Sequence, residues 1–67
     1  MNIELNVSAI KKLMAEKRMT TIQLAKLSGL VPNSISKILH RGTCSIISAG
    51  CIAAALDVDV EEIWKEE

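Results

Sequence analysis

The sequence predicts an all-α fold, a compact bundle of five short helices. Apolar residues recur at three- and four-residue steps along most of the 67-residue chain, which is the spacing of one helix face. Capping residues, glycines and a proline divide this pattern into short segments. With one Trp, no Phe and no Tyr, the core must be thin and closely fitted. We expect one domain over residues 1–67, because a chain of this length forms a single core.

The first two predicted helices are separated by a capping signal. The first follows Asn6, and its apolar side consists of Ile10, Leu13, Met14 and the stem of Lys17. The second begins at Thr20, whose hydroxyl can bond the amide of Gln23 while the Gln23 side chain reaches back. Its inward residues are expected to be Leu24, Ala25 and Leu27. Gly29 should end it, because glycine adopts the left-handed conformation that closes a helix.

A third helix is predicted to begin at Pro32. Proline suits the first helical position, since its φ is already helical and its missing N–H would be unbonded there. The turn before it is residues 29–31, and Gly42 should end it. Its apolar stripe is Ile35, Ile38 and Leu39. Its outer side is predicted to carry Asn33, Ser36 and Lys37.

Two further helices complete the predicted bundle. Ser45 is expected to cap the fourth, with an inner side formed by Ile46, Ala49, Ala53 and Leu56. Small residues permit close helix contact along it: Gly50, Ala54 and Ala55. Asp59 and Glu62 repeat the capping pattern and start a short fifth helix holding Ile63 and Trp64. No strand is expected. Trp64 either closes the core with Ile63 and Val60 or lies, like Ile46 or Ile47, at a dimer seam.

Charge is divided unevenly along a chain whose net charge is zero. Residues 8–43 hold seven basic residues and one acidic residue, a net +6. Residues 44–67 hold six acidic residues and one basic residue, a net −5. The molecule is therefore polarised, with a basic front and an acidic tail. Lys11 and Lys12 are interpreted as an ordinary solvated helix face.

The composition argues against catalysis, metal binding and membrane insertion. One His, no Tyr and no glycine-rich phosphate loop leave no usual set of acid, base and nucleophile, so we expect no enzyme and no cofactor. His40, Cys44 and Cys51 lack the close paired spacing of zinc sites, and we expect the cysteines to be small buried or half-buried thiols. No apolar run approaches the ~20 residues of a membrane span, which favours a cytoplasmic protein.

The segment over about residues 20–40 is a helix, a short turn and a second helix. Gly29 allows the sharp reversal, and Ala25 is small where the two helices cross. Three stretches, Thr21–Gly29, Ser34–Ile38 and Ile52–Ile63, resemble the lambda-repressor-like family, the Cro and phage-repressor (Xre) type of helix-turn-helix domain. The resemblance extends over residues 8–64 and implies a five-helix DNA-binding domain, with the bundle over residues 7–65.

The resemblance also implies the DNA-contacting residues. The positions that read base edges in the family correspond to Pro32, Asn33, Ser36 and Lys37. Asn33 suits adenine and Lys37 suits guanine O6 and N7. The positions that hold the DNA backbone correspond to Thr20, Thr21, Lys26, Ser34, His40, Arg41 and Thr43. The acidic tail would repel phosphates, so we expect it to face away from DNA.

Four positions depart from the family pattern. Thr21 stands where the family usually has Gln, and Val31 stands where it commonly has a Ser or Thr cap. Pro32 replaces a polar reader, which leaves fewer base-reading side chains and predicts modest specificity. Asp57 replaces the common Gly after the fourth helix, and Asp tolerates left-handed geometry well enough for the fold to survive.

Two hypotheses from different classes follow. The first is a sequence-specific transcriptional regulator, a repressor of bacterial, phage or mobile-element origin, whose third helix enters the major groove. Its partners would be double-stranded DNA with a near-palindromic operator and a second copy in a homodimer. With 67 residues we expect no effector domain, so regulation would come from concentration, dimerisation or another protein. The second is a helical interaction module that does not bind DNA and antagonises or pairs with a related regulator. The small number of base-reading side chains on the third helix motivates this alternative.

Overall fold

The chain folds into five helices and one small antiparallel sheet, in a computed structural model that describes residues 2–65. The helices are α1 Val7–Glu16, α2 Thr21–Ser28, α3 Pro32–Arg41, α4 Ile46–Ala55 and α5 Val60–Ile63. The strands are β1 Asn2–Glu4 and β2 Thr43–Ser45. The five predicted helices are thus confirmed.

Local hydrogen bonds explain why the helices begin and end where the sequence predicts. The Asn6 side chain accepts a bond from the Ala9 N–H at 3.1 Å, and Ser45 Oγ accepts one from the Ser48 N–H at 3.1 Å. At α5, the Glu62 carboxylate accepts from the Asp59 N–H at 3.3 Å. Helices α2 and α3 both end at a glycine with positive φ, 77° at Gly29 and 76° at Gly42. Both glycine terminators and the cap at Ser45 are therefore confirmed, and the structure adds the cap at Asn6.

The prediction that the chain contains no strand is wrong, so an all-α description is approximate. Ile3 of β1 lies opposite Cys44 of β2, and both side chains point into the core. On the other side of the same segment, the Asn6 N–H donates to the Ile63 carbonyl at 2.8 Å and the Lys65 N–H donates to the Glu4 carbonyl at 3.1 Å. Strands of three residues are too short to show an alternating pattern, and their partners lie far away in the sequence.

The core is built from every helix and both strands. Within residues 2–65 its buried members are all apolar: Ile3, Leu5, Ile10, Met14, Leu24, Ala25, Ile35, Cys44, Ala49, Ile52, Ala53, Leu56 and Ile63. Leu13, Ile38, Leu39 and Val60 pack against this cluster while remaining half-buried. The predicted inner side of α3 is therefore confirmed, and so is that of α1 except for Lys17, which is exposed at the C-cap.

Two residues predicted to face the core are instead exposed. Leu27 is 63% exposed, because the inner face of α2 is centred on Leu24, Ala25 and Ser28 and position 27 lies well round the helix from it. Ile46 is 48% exposed, because as the first residue of α4 it lies at the edge of the packed face. Trp64 follows α5 rather than belonging to it, and it is 40% exposed. Ile63 carries the core contact in its place.

Helix α3 is held along one side only. It packs on α2 and on β2, and Ile35 is its one fully buried side chain. Helix α2 packs in turn on α4, and the C-cap bond from the Gly29 N–H to the Ala25 carbonyl sets the turn into α3. The helix pair predicted at residues 20–40 is thereby attached to the bundle through α2. The side of α3 that does not pack on α2 or β2 faces solvent.

Candidate nucleic-acid interface

The outer side of α3 is polar and solvent-exposed. The four residues predicted to read bases are all exposed: Pro32, Asn33, Ser36 and Lys37. Asn33, Ser36 and Lys37 are three and four residues apart, so they lie on one face of the helix. The prediction that these three side chains point outward is confirmed. We call this set of four residues the α3 surface.

The first turn of α3 offers one free backbone donor beside these side chains. The N–H groups of Ser34 and Ile35 both bond the Val31 carbonyl, at 3.0 and 3.2 Å. Pro32 has no N–H, and the Val31 side chain makes no cap bond. Among residues 32–35, the Asn33 N–H is therefore the donor that intrahelical bonding leaves open. Asn33 can present both its amide side chain and its backbone N–H to a ligand.

Hydrogen bonding within the first turn of α2 reduces the donors available to an anion. The Thr20 N–H donates to Gln23 Oε1 at 2.8 Å, and Thr20 Oγ1 accepts from the Gln23 N–H at 3.1 Å. Both amides of this capping box are thus occupied. The N–H groups of Thr21 and Ile22, which have no intrahelical partner, and the hydrogen of the Thr20 hydroxyl remain to bind phosphate.

A groove of about 260 Å³ brings four of the predicted contact residues together. Ser34, Lys37, Arg41 and Thr43 line it, together with Ser45 and Ser48 at the start of α4. We call it the α3–α4 groove. No acidic residue of the described chain lines it. Two cations and several hydroxyl groups therefore face one space beside the α3 surface, an arrangement that suits a phosphate chain.

His40, Arg41 and Thr43 also border a larger groove of about 620 Å³ on the other side of the α3–β2 turn. Its opposite wall is the start of α1, and Lys65 and Glu4 line it as well. Arg41 and Thr43 therefore lie between two grooves. The presence of Glu4 makes this second space less suited to an anion than the α3–α4 groove.

Lys26 lies apart from the predicted phosphate contacts on α3 and β2. It lines a groove of about 450 Å³ with Lys17, Arg18, Gln23 and the exposed side of Leu27. Lys17 and Arg18 were not among the residues predicted to contact DNA. Their position follows from the α1–α2 turn, where Arg18 has φ 53°, and no local sequence pattern predicts that turn. The basic front is thus divided between this groove and α3.

The two cysteines are free thiols. Cys44 is buried and Cys51 is half-buried, as predicted. Burial raises the pKa of the Cys44 thiol above its ordinary value, because the thiolate would lose its hydration. Within residues 2–65, no three His, Cys, Asp or Glu side chains are grouped closely enough to hold a metal ion. None of the helices in this range has the length and apolar character required to cross a membrane.

Comparison with known families gives a match over most of the chain. The model of the Cro/C1-type HTH DNA-binding domain matches residues 9–65. The matched range contains all of α2 and α3 and every residue predicted to contact DNA. No curated protein and no solved structure matches the chain.

Proposed function

The chain belongs to the Cro/C1-type helix-turn-helix DNA-binding family, and from that premise we propose that it is a sequence-specific transcriptional regulator. Its action would be repression, in a bacterium, a phage or a mobile element. As a repressor it would occupy a promoter and exclude polymerase. Residues 1–67 would act as one DNA-binding domain in this role.

The observation that carries the proposal is the exposure of one polar face on a helix anchored by its other face. Asn33, Ser36 and Lys37 are exposed, while Ile35 between them is fully buried. A helix with this division can enter the ~12 Å major groove without disturbing the core. The Asn33 amide would pair with adenine, and the Lys37 ammonium would donate to guanine O6 and N7. Pro32 would contribute contact without a hydrogen bond.

The phosphate contacts would flank α3 on both sides. Ser34, Arg41 and Thr43 would grip one strand from the α3–α4 groove and its margin, together with His40. The free N–H groups at the start of α2, the hydroxyls of Thr20 and Thr21, and Lys26 would hold the other. These contacts position the domain and carry no sequence information.

The DNA partner would be a near-palindromic operator bound by a homodimer. Two copies of α3 would then enter successive major grooves about 34 Å apart. About six phosphate contacts predict that log affinity falls with log salt at a slope near −5. The acidic residues after α4 would lie away from the DNA.

Selection of bound sequences from a random double-stranded DNA pool tests this function. An enriched motif with two-fold symmetry supports both the regulator and its dimer. Fluorescence anisotropy with random DNA at low salt supplies the second measurement, with Lys12→Ala, an exposed lysine of α1, as the matched control for Lys37→Ala. Absence of DNA binding at micromolar protein would refute the proposal and support the interaction-module alternative.

A further inference from the structure

The groove of about 450 Å³ beside the α1–α2 turn combines basic and apolar side chains. We call it the α1–α2 groove, and its lining residues are Lys17, Arg18, Met19, Gln23, Lys26 and Leu27. No acidic residue of the described chain is among them. The proposed function assigns only Lys26 to DNA. Lys17 and Arg18 are therefore two neighbouring cations to which DNA binding gives no role.

The backbone of the α1–α2 turn holds Arg18 in a costly conformation. The Arg18 N–H donates to the Ala15 carbonyl at 3.1 Å. The Met19 N–H donates to the Met14 carbonyl at 2.8 Å. Arg18 has φ 53° between these bonds, a conformation that costs arginine more than glycine. The chain thus carries an arginine where the fold alone favours glycine, and a side chain kept at such a cost indicates a role outside the fold.

Leu27 gives the same groove an exposed apolar wall. Its side chain is 63% exposed. Around α2, Gln23 lies between Leu27 and Lys26, so Lys26 occupies the opposite rim of the groove from Leu27. Lys17 and Arg18 are therefore the cations available to a partner, while Lys26 on the far rim keeps its phosphate in the proposed function.

The size and chemistry of the α1–α2 groove select a short acidic segment that also carries apolar side chains. A volume of about 450 Å³ holds a few side chains and not a folded domain. Two neighbouring cations attract carboxylates, and Leu27 with the half-buried Met19 offers apolar contact. An amphipathic helix with glutamates beside its leucine face meets both requirements. A phosphate chain meets only the first, since it gains nothing from Leu27.

We propose that the α1–α2 groove binds an acidic amphipathic segment of another protein. Carboxylates of that segment pair with Lys17 and Arg18, and its apolar face covers Leu27. The partner site is separate from the α3 surface and stands independently of the proposed function. Its tests use the protein without DNA, so failure of either proposal leaves the other intact.

The first test measures binding of a short fluorescein-labelled peptide of glutamate and leucine at helical spacing. Fluorescence anisotropy should give a saturable isotherm, which Leu27→Ser weakens about tenfold because apolar contact is lost. Ile47→Ser is the matched control, since Ile47 is exposed on α4 and its loss should leave the affinity unchanged. A peptide with serine in place of leucine should also bind about tenfold more weakly. No saturable binding, or equal losses in the two variants, would overturn the inference.

The second test separates a loss of binding from a loss of folding. Arg18→Gly removes one cation and relaxes a left-handed backbone, so this variant should melt no lower than wild type and bind the peptide about threefold more weakly. Asp57→Gly is the matched control, because Asp57 has φ 58° and lies outside the groove. It should be stabilised in the same way without any loss of affinity. Unchanged affinity in Arg18→Gly would contradict the pairing of carboxylates with the turn.

The third test locates the bound peptide. In nuclear magnetic resonance spectra of isotope-labelled protein, the largest amide shifts on peptide addition should fall at residues 17–19 and 23–27, which contain the groove. Shifts centred on the α3 surface or the α3–α4 groove would show that the peptide binds the cations assigned to DNA, and would overturn the inference.

Discussion

Thr20 and Gln23 are joined by two reciprocal hydrogen bonds, from the Thr20 N–H to Gln23 Oε1 at 2.8 Å and from the Gln23 N–H to Thr20 Oγ1 at 3.1 Å. The pair sets the first residue of α2, and through α2 it sets the position of α3. It also occupies two amides that would otherwise be open to phosphate. The same pair thus serves the fold and limits the contacts that this end of α2 can make with DNA.

Thr20→Ala should lower the free energy of unfolding by about 1 kcal/mol, because the Gln23 N–H loses its acceptor. Urea denaturation followed by circular dichroism measures the loss. Thr21→Ala is the control, since Thr21 lies inside α2 and provides no cap. Equal losses in the two variants would mean that the capping box contributes nothing specific.

Lys37→Ala and Arg41→Ala should weaken DNA binding in different ways. Loss of a base contact at Lys37 should cost ~1 to 3 kcal/mol on the selected operator and relax the preference at one base pair. Loss of a phosphate contact at Arg41 should weaken operator and random DNA alike and reduce the salt slope by about one. Titrations of both DNAs at several salt concentrations separate the effects. An equal loss on both DNAs for Lys37→Ala, or a loss confined to the operator for Arg41→Ala, would show that the assigned roles are wrong.

Arg18→Gly and Asp57→Gly should each raise the free energy of unfolding, by up to about 1 kcal/mol. Both residues have left-handed backbone conformations, with φ 53° and 58°, which cost a non-glycine residue more than glycine. Gly29→Ala should lower the free energy of unfolding, because Gly29 has φ 77°, a backbone conformation that alanine adopts only at a cost. An added Cβ at this position meets nothing within 4 Å. Its cost is therefore conformational rather than steric. Thermal melting measures all three, and a stabilised Gly29→Ala protein would contradict this account.

The unfolding free energy should fall as the pH rises above the ordinary thiol range, about 8.5. Because burial raises the pKa of Cys44, the folded protein keeps this proton where the unfolded chain has lost it. The unfolded state then binds fewer protons, so stability decreases with rising pH through this window and is fully present below it. Wild type should lose unfolding free energy relative to Cys44→Ala between pH 8 and pH 10, about the range where free thiols ionise. The difference in unfolding free energy between the two proteins should therefore be smaller at pH 10. A constant gap in urea melts at both pH values would contradict the assignment.

The local features of the fold could be predicted because each depends on residues three or four apart. The Thr20 and Ser45 caps and the two terminating glycines all act through bonds within one turn. The outward position of Asn33 and Lys37 follows in the same way from helical spacing around Ile35. The resemblance, in which a glycine commonly follows the fourth helix, implied a left-handed backbone at Asp57, and its φ is 58°.

The strands and the grooves could not be predicted because they join residues distant in the sequence. Ile3 and Cys44 lie opposite each other only after α3 has returned the chain to the N-terminal segment. Lys26 lines a groove with Lys17 and Arg18, which belong to another part of the bundle. The exposure of Leu27 likewise depends on which side of α2 packs on α3 and α4, and not on the apolar character of the side chain.

The amino-acid order alone therefore determined the helices, their ends and the polar side of α3, since hydrogen bonds and side-chain spacing within one turn decide them. Packing between distant segments decided the β1–β2 pairing and brought Lys37, Arg41 and Ser48 to the same groove. It also decided which side of α4 is buried and which side, with Ile47, is exposed. Those features exist only where the folded chain brings separate elements together, and burial there is settled by competition among all the apolar faces at once.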